Sequence, residues 1–118
     1  MGQPLTVWRT ALHQKRPYLS LVDAVDALKF ILKKKMFDNR VYNVVTKNLT
    51  PENIIQMIKP HVNQLEIMYT DSQIMNLLSY EVSNSRLIKM GFVFSGSIEK
   101  DIFETISLLR NSEEVDVN

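Results

Sequence analysis

Apolar and polar positions along the chain divide it into short extended runs and longer helical ones. Leu5 to Trp8 (LTVW) is short, β-branched and aromatic, and Tyr18 to Leu19 lies in extended context because Pro17 disfavours helix just ahead of itself, so both are expected as short strands. Ser20 then offers an N-cap with Asp23 three residues on. Leu21, Ala24, Val25, Leu28, Ile31 and Leu32 recur at helical spacing, which predicts a helix from Leu21 to about Lys35. Its last turn holds Lys33, Lys34 and Lys35, cations that suit the negative end of the helix dipole and need no ligand to explain them.

Past the turn signal Asp38-Asn39, Val41 to Val45 (VYNVV) reads as a strand. Thr50-Pro51-Glu52 follows as N-cap, first-turn proline and first-turn acid, opening a helix whose apolar face is Ile54, Ile55, Met57, Ile58 and Val62 and which Pro60 ends or kinks near Lys59. Leu65 to Tyr69 (LEIMY) is the next expected strand and Tyr80 to Val82 a further short one. Ser83 then caps a two-turn helix to Met90, stopped by Gly91 in a left-handed conformation. The last helix starts at Ser97 and places Ile98, Ile102, Thr105, Ile106 and Leu109 on one stripe. Residues 111–118, with three acids and no periodicity, are expected as a disordered acidic tail. The alternation of strand and helix predicts an α+β fold with short, partly parallel strands covered by helices.

With 118 residues, 45% hydrophobic and 23% charged, the chain falls in the range of one globular domain. It has no cysteine, which excludes disulfides and thiolate metal sites, and the two histidines, His13 and His61, cannot furnish a three-ligand metal site alone. Gly2, Gly91 and Gly96 form neither GxGxxG nor GxxxxGK[ST], so no phosphate-cradling loop is present. No apolar run reaches the roughly 20 residues of a membrane helix, and a soluble cytoplasmic protein is the default expectation. The net charge of +1 is uneven: residues 1–40 carry +5 and residues 41–118 carry −4.

No catalytic constellation stands out among the serines and two histidines. Asp23 and Asp26 are better explained as stabilisers of a helix start than as an acid/base pair. The informative cluster is Trp8-Arg9 with His13-Gln14-Lys15-Arg16-Pro17-Tyr18, cations and aromatics flanking a loop of about nine residues. Arginine suits bidentate capture of phosphate and an aromatic ring suits a base. The plain alternative is an exposed basic loop with Trp8 in the core. A nucleic-acid patch is disfavoured, because a pI near 8.0 falls short of a basic-domain footprint.

At these residues a family resemblance emerges. The runs TVWRTALHQKRPYLSLVDAVDALKFIL, VYNVVTKNLTPENIIQMI, YEVSNSRLIKMGF and SIEKDIFETISLL together resemble the C-terminal third of the extended short-chain dehydrogenases, the NAD-dependent sugar epimerase/dehydratase family. In that family a strand ending in an aromatic residue leads to an Arg-Asp-[FY]-x-x-V-x-D motif, a helix, a Tyr-Asn-hydrophobic strand, and later a Ser-Lys-like helix start ending in Leu-Gly-[WF]. The counterparts here are Trp8, Arg16-Pro17-Tyr18 with Asp23, Tyr42-Asn43, Ser83 to Arg86, and Met90-Gly91-Phe92.

The resemblance implies a substrate-binding lobe over residues 1–110 of a larger enzyme, orienting a nucleotide sugar. The Gly-rich NAD or NADP loop and the Tyr-x-x-x-Lys pair would sit in an N-terminal Rossmann domain. The chain alone would then bind no cofactor and be inactive, and it would expose apolar surface and self-associate. Arg16 matches the arginine that binds the diphosphate, and Trp8 the aromatic position beside the base. Three departures follow: the usual Gly-x-Gly after the first strand is Arg9-Thr10-Ala11, the Asp after the motif arginine is Pro17, and a second family arginine has no counterpart between Met68 and Leu78. Arg9 is the substitute cation and Asn76 an amide for the ligand. The alternatives are a stand-alone, non-catalytic anion-binding or regulatory module and a small nucleic-acid binder using the basic half.

Overall fold

A computed structural model describes residues 3–71 and 79–116. The described residues form four short strands, β1 (Leu5–Trp8), β2 (Arg16–Tyr18), β3 (Lys47–Leu49) and β4 (Ile67–Thr70), and four helices, α1 (Leu21–Lys34), α2 (Pro51–Ile58), α3 (Ser85–Lys89) and α4 (Ile98–Asp116), in the chain order β1-β2-α1-β3-α2-β4-α3-α4. The strands form two separate pairs. β1 and β4 run parallel, with Leu5 opposite Ile67 and Trp8 opposite Thr70, whereas β2 and β3 run antiparallel, with Arg16 opposite Leu49 and Tyr18 opposite Lys47. The mixed α+β architecture with partly parallel strands therefore agrees with the sequence expectation.

Helix boundaries follow their local chemistry. α2 opens with a reciprocal cap in which the Asn53 amide donates to Thr50 Oγ1 and the Thr50 amide donates to Asn53 Oδ1, with Pro51 in the first turn. α1 closes through Lys35 in the left-handed region (φ 52°), and α3 is followed by Gly91 at φ 100°. The Ser97 hydroxyl accepts from the Lys100 amide at the start of α4. That helix continues to Asp116, through most of the segment expected from the sequence as an irregular tail.

Two expected strands lack backbone ladders. Residues 41–45 form no strand, and the carbonyls at their two ends bond to side chains: Arg86 donates to the Val41 oxygen at 2.7 Å and Asn84 to the Val45 oxygen at 2.8 Å. The strand forms two residues later, at Lys47–Leu49, where β2 provides a partner. Residues 80–82 run beside β3 through one carboxamide, Asn48 donating to the Val82 oxygen and accepting from the Val82 amide, each at 3.0 Å.

The main core sits between α1, α3 and the segment after Gly91, where Ala27, Leu87 and Phe92 are buried with Phe30, Tyr42 and Phe94 against them. Phe92 meets Phe30 and Phe94 edge to face at 5.4 and 4.7 Å between ring centres. Ser20 stands at the N-cap position of α1, but its hydroxyl makes no capping bond and is buried without a hydrogen-bond partner. α1 turns Asp23 and Ala27 inward, so Leu21, Val25, Leu28 and Leu32, spaced like a packing seam, face outward.

The molecule is a slab measuring 48 × 41 × 21 Å, with a radius of gyration of 17.6 Å where a compact chain of this length has about 13.5 Å. Its accessible surface is 8957 Å², against about 6,600 Å² for a compact monomer of 13.7 kDa.

Candidate functional site

The basic segment identified from the sequence is spread along one connection, from the carboxyl end of β1 to β2. Trp8 closes β1 opposite Thr70 and is 55% exposed, so the reading that buries it in the core is overturned. Its position follows from period-two alternation: Val7 takes the buried face of the strand and leaves Trp8 on the open one. A single 3-10 turn, Arg9–Ala11, comes next. Arg9 Nη1 lies 3.3 Å from Asp71 Oδ1, immediately past the end of β4, so the two strand ends are bridged by an exposed ion pair.

The rest of the loop is tied down residue by residue. His13 Nδ1 is 3.1 Å from Glu52 Oε2, and the Glu52 amide donates to the Leu12 carbonyl, fixing the loop to the first turn of α2. Lys15 Nζ pairs with Glu81 Oε1 at 2.6 Å, while the Lys15 amide donates to Ser79 Oγ and its carbonyl accepts from the Tyr80 amide. Arg16 is half-buried. Its Nη1 donates to the Lys15 carbonyl at 2.8 Å, its Nη2 to Gln14 Oε1 at 3.0 Å, and its Cζ lies 4.9 Å from the centre of the Tyr80 ring. The guanidinium plane is thereby oriented before any ligand arrives, and the aromatic face adds roughly 0.5–2 kcal/mol of attraction.

Tyr80 is a neighbour of Arg16 that the sequence does not reveal. In LSYEV it presents itself only as a strand aromatic, and the residue it serves lies 64 positions earlier. No local signal marks that contact.

A cavity of about 290 Å³ opens beside Trp8, walled by Thr6, Val7, Ala11, Tyr18, Pro51 and Ile54 among others. Arg16 is not among its described lining residues. The structure thus joins Trp8 with Arg9 at the strand ends and Arg16 with Tyr80, and does not set Arg16 in the cavity that Trp8 borders. Asn76 lies outside the described residues. Chemically, this region offers an aromatic plane over an apolar floor and an oriented guanidinium. These are means of holding a ligand.

The two described glycines have local structural roles. Gly91 provides the stop after α3. Gly96 is packed so closely that a methyl there would stand 2.5 Å from Ser20 Cβ and 2.6 Å from Asp23 Oδ2, so its missing side chain makes room for protein atoms and not for a phosphate. Among the described residues no three His, Cys, Asp or Glu side chains gather around a possible metal position, and no helix is long and apolar enough to cross a membrane.

No family model, curated protein or solved structure matches this chain.

Proposed function

We propose that this chain is the substrate-binding lobe of an NAD-dependent nucleotide-sugar epimerase or dehydratase, orienting the sugar nucleotide for hydride chemistry carried out on a Rossmann domain. The observation that carries the reading is Trp8, solvent-exposed at the carboxyl end of a parallel strand pair, where ligands of open α/β sheets bind. The prearranged Arg16 fork supports it as the anion contact, and the order of the sequence motifs supports the family. NAD or NADP belongs to the Rossmann domain, since Gly96 is closed in by Ser20 and Asp23 and Gly91 serves as the stop after α3.

The open surface supports the same reading. The groove between β1, α2 and α4, about 620 Å³ and walled by Leu5, Leu19, Ile58, Leu65, Ile102 and Leu109, has the apolar character of an interface that another domain covers. A stand-alone module would be expected to hide such a face.

Trp8 is the only tryptophan, so its fluorescence reports on the base position directly. Titration with a nucleoside diphosphate sugar should quench it saturably, and Arg16→Gln, which loses the Lys15, Gln14 and Tyr80 contacts and so melts a few degrees lower, should weaken binding roughly ten- to hundredfold at a temperature where it stays folded. Turnover of the sugar nucleotide by the chain on its own is expected to be nil. Absence of a saturable quench, or an Arg16→Gln variant that binds equally well, would overturn the assignment in favour of an ordinary basic loop.

A further inference from the structure

We propose that the pocket framed by Val41, Asn43, Ser83, Ser85 and Arg86 is a second anion site, apart from the Arg16 region, and that it takes a phosphate monoester carrying a small organic group. The pocket measures about 330 Å³, at the lower end of small-molecule sites. Its cation is held in place: Arg86 Nη1 donates to the Val41 carbonyl at 2.7 Å, leaving four N–H donors of the planar fork for a ligand.

No ion pair to an acidic side chain is seen for Arg86 among the described residues. Arg9, Lys15 and Arg40 face carboxylates at 3.3, 2.6 and 3.7 Å, each already neutralised locally. The pocket walls contain no carboxylate, and the Val41 and Ser83 carbonyls there are taken by Arg86 and Asn43. The Ser83 and Ser85 hydroxyls lie 3.0 Å apart, and the Asn43 amide is turned toward the Ser83 carbonyl at 3.4 Å. A compact oxyanion can accept from the remaining Arg86 N–H groups and from the Ser85 hydroxyl, whose oxygen already takes the Ser83 proton, whereas a cation meets Arg86. Val41, 74% exposed, supplies an apolar wall for the organic part of the ester.

The test is a ¹H–¹⁵N NMR titration with glycerol 3-phosphate, inorganic phosphate and sodium chloride at matched ionic strength. Saturable shifts at Asn43, Ser83, Ser85 and Arg86 are expected with the monoester, weaker ones with inorganic phosphate and none with chloride. Ser85→Ala keeps the Arg86–Val41 bond, and should weaken binding about tenfold; Arg86→Gln should abolish it; Arg16→Gln should leave it unchanged. Equal shifts with chloride would mean an adventitious ion only. Shifts centred on Arg16, tolerance of Ser85→Ala and Arg86→Gln, or equal affinity for free phosphate and the ester would each overturn the proposal.

Discussion

Asp23 and Gly96, 73 residues apart in sequence, are joined by a 2.9 Å hydrogen bond from the Gly96 amide to Asp23 Oδ1. The same oxygen accepts from the Ser95 amide at 3.0 Å, and Oδ2 accepts from the Thr46 hydroxyl at 2.6 Å. Thr46 Oγ1 in turn accepts from the Ser20 amide. One fully buried carboxylate therefore gathers the start of α1, the approach to β3 and the entry to α4.

Asp23→Ala should destabilise the protein by about 2–3 kcal/mol, because it leaves two partly buried amides and a hydroxyl without their acceptor. Asp23→Asn keeps one oxygen for the two amides, and its new amide can donate to Thr46 Oγ1, so the loss should be about half as large. Urea unfolding followed by circular dichroism measures both. A wild-type midpoint for Asp23→Ala would show that the three donors find water instead.

Gly96→Ala tests the other side of the contact. The added methyl would collide with Ser20 Cβ at 2.5 Å, close to the backbone and unable to swing aside, so a loss of about 1–3 kcal/mol is expected. Gly96→Ala combined with Ser20→Gly should recover part of it. No recovery in thermal unfolding would place the strain elsewhere.

Asp38 and Tyr42 give a pH signature. The Tyr42 hydroxyl donates to Asp38 Oδ2 at 2.7 Å, and this bond, with help from the Arg40 amide, holds the Asp38 carboxyl below its ordinary value while pushing the Tyr42 phenol above its own. The contribution to stability is present between those limits. It is lost as pH falls through the depressed Asp38 value and again as pH rises through the raised Tyr42 value. Tyr42→Phe should return the Asp38 titration toward the ordinary carboxylate range in carboxyl-detected NMR; an unmoved curve would assign the shift to the backbone donors.

The end of α4 carries a sharper length dependence. Arg110 donates to the His61 carbonyl, tying the helix to the turn after α2. Removal of residues 112–118 spares this bond and should move the thermal midpoint by no more than about 1 °C, whereas Arg110→Ala should lower it by several degrees. Equal effects from the two changes would mean that the terminal segment docks.

The helices were legible in the sequence because their signals are local: Thr50-Pro51 opens α2, Gly91 stops the chain after α3 and Ser97 caps α4. The polar clasps were not. Val41 to Val45 has strand composition, yet the carbonyls at its two ends are claimed by Asn84 and Arg86 some 40 residues later, and Asn48 stands in for a whole strand beside Val82. Period and propensity carry no information about a side chain that substitutes for a backbone partner. Ser20 misled for the same reason: its place before α1 predicts a cap, while its hydroxyl lies buried beside Gly96. In the candidate site, Trp8, Arg9 and Arg16 were identifiable by type, but the Tyr80 face that orients Arg16 depends on tertiary contact alone.

The slab shape sets the thermodynamic character of unfolding. An unfolded chain of 13.7 kDa exposes roughly 20,000 Å², so retaining 8957 Å² in the folded state means that unfolding releases about a fifth less surface than it would from a compact monomer. The heat-capacity increment and the urea m-value both scale with that released surface. Calorimetry should accordingly find an increment near 1.2 kcal/mol/K in place of the about 1.5 kcal/mol/K typical of this length. Such a chain has a flat stability curve and a broad urea transition, and both should sharpen once a partner covers the open face.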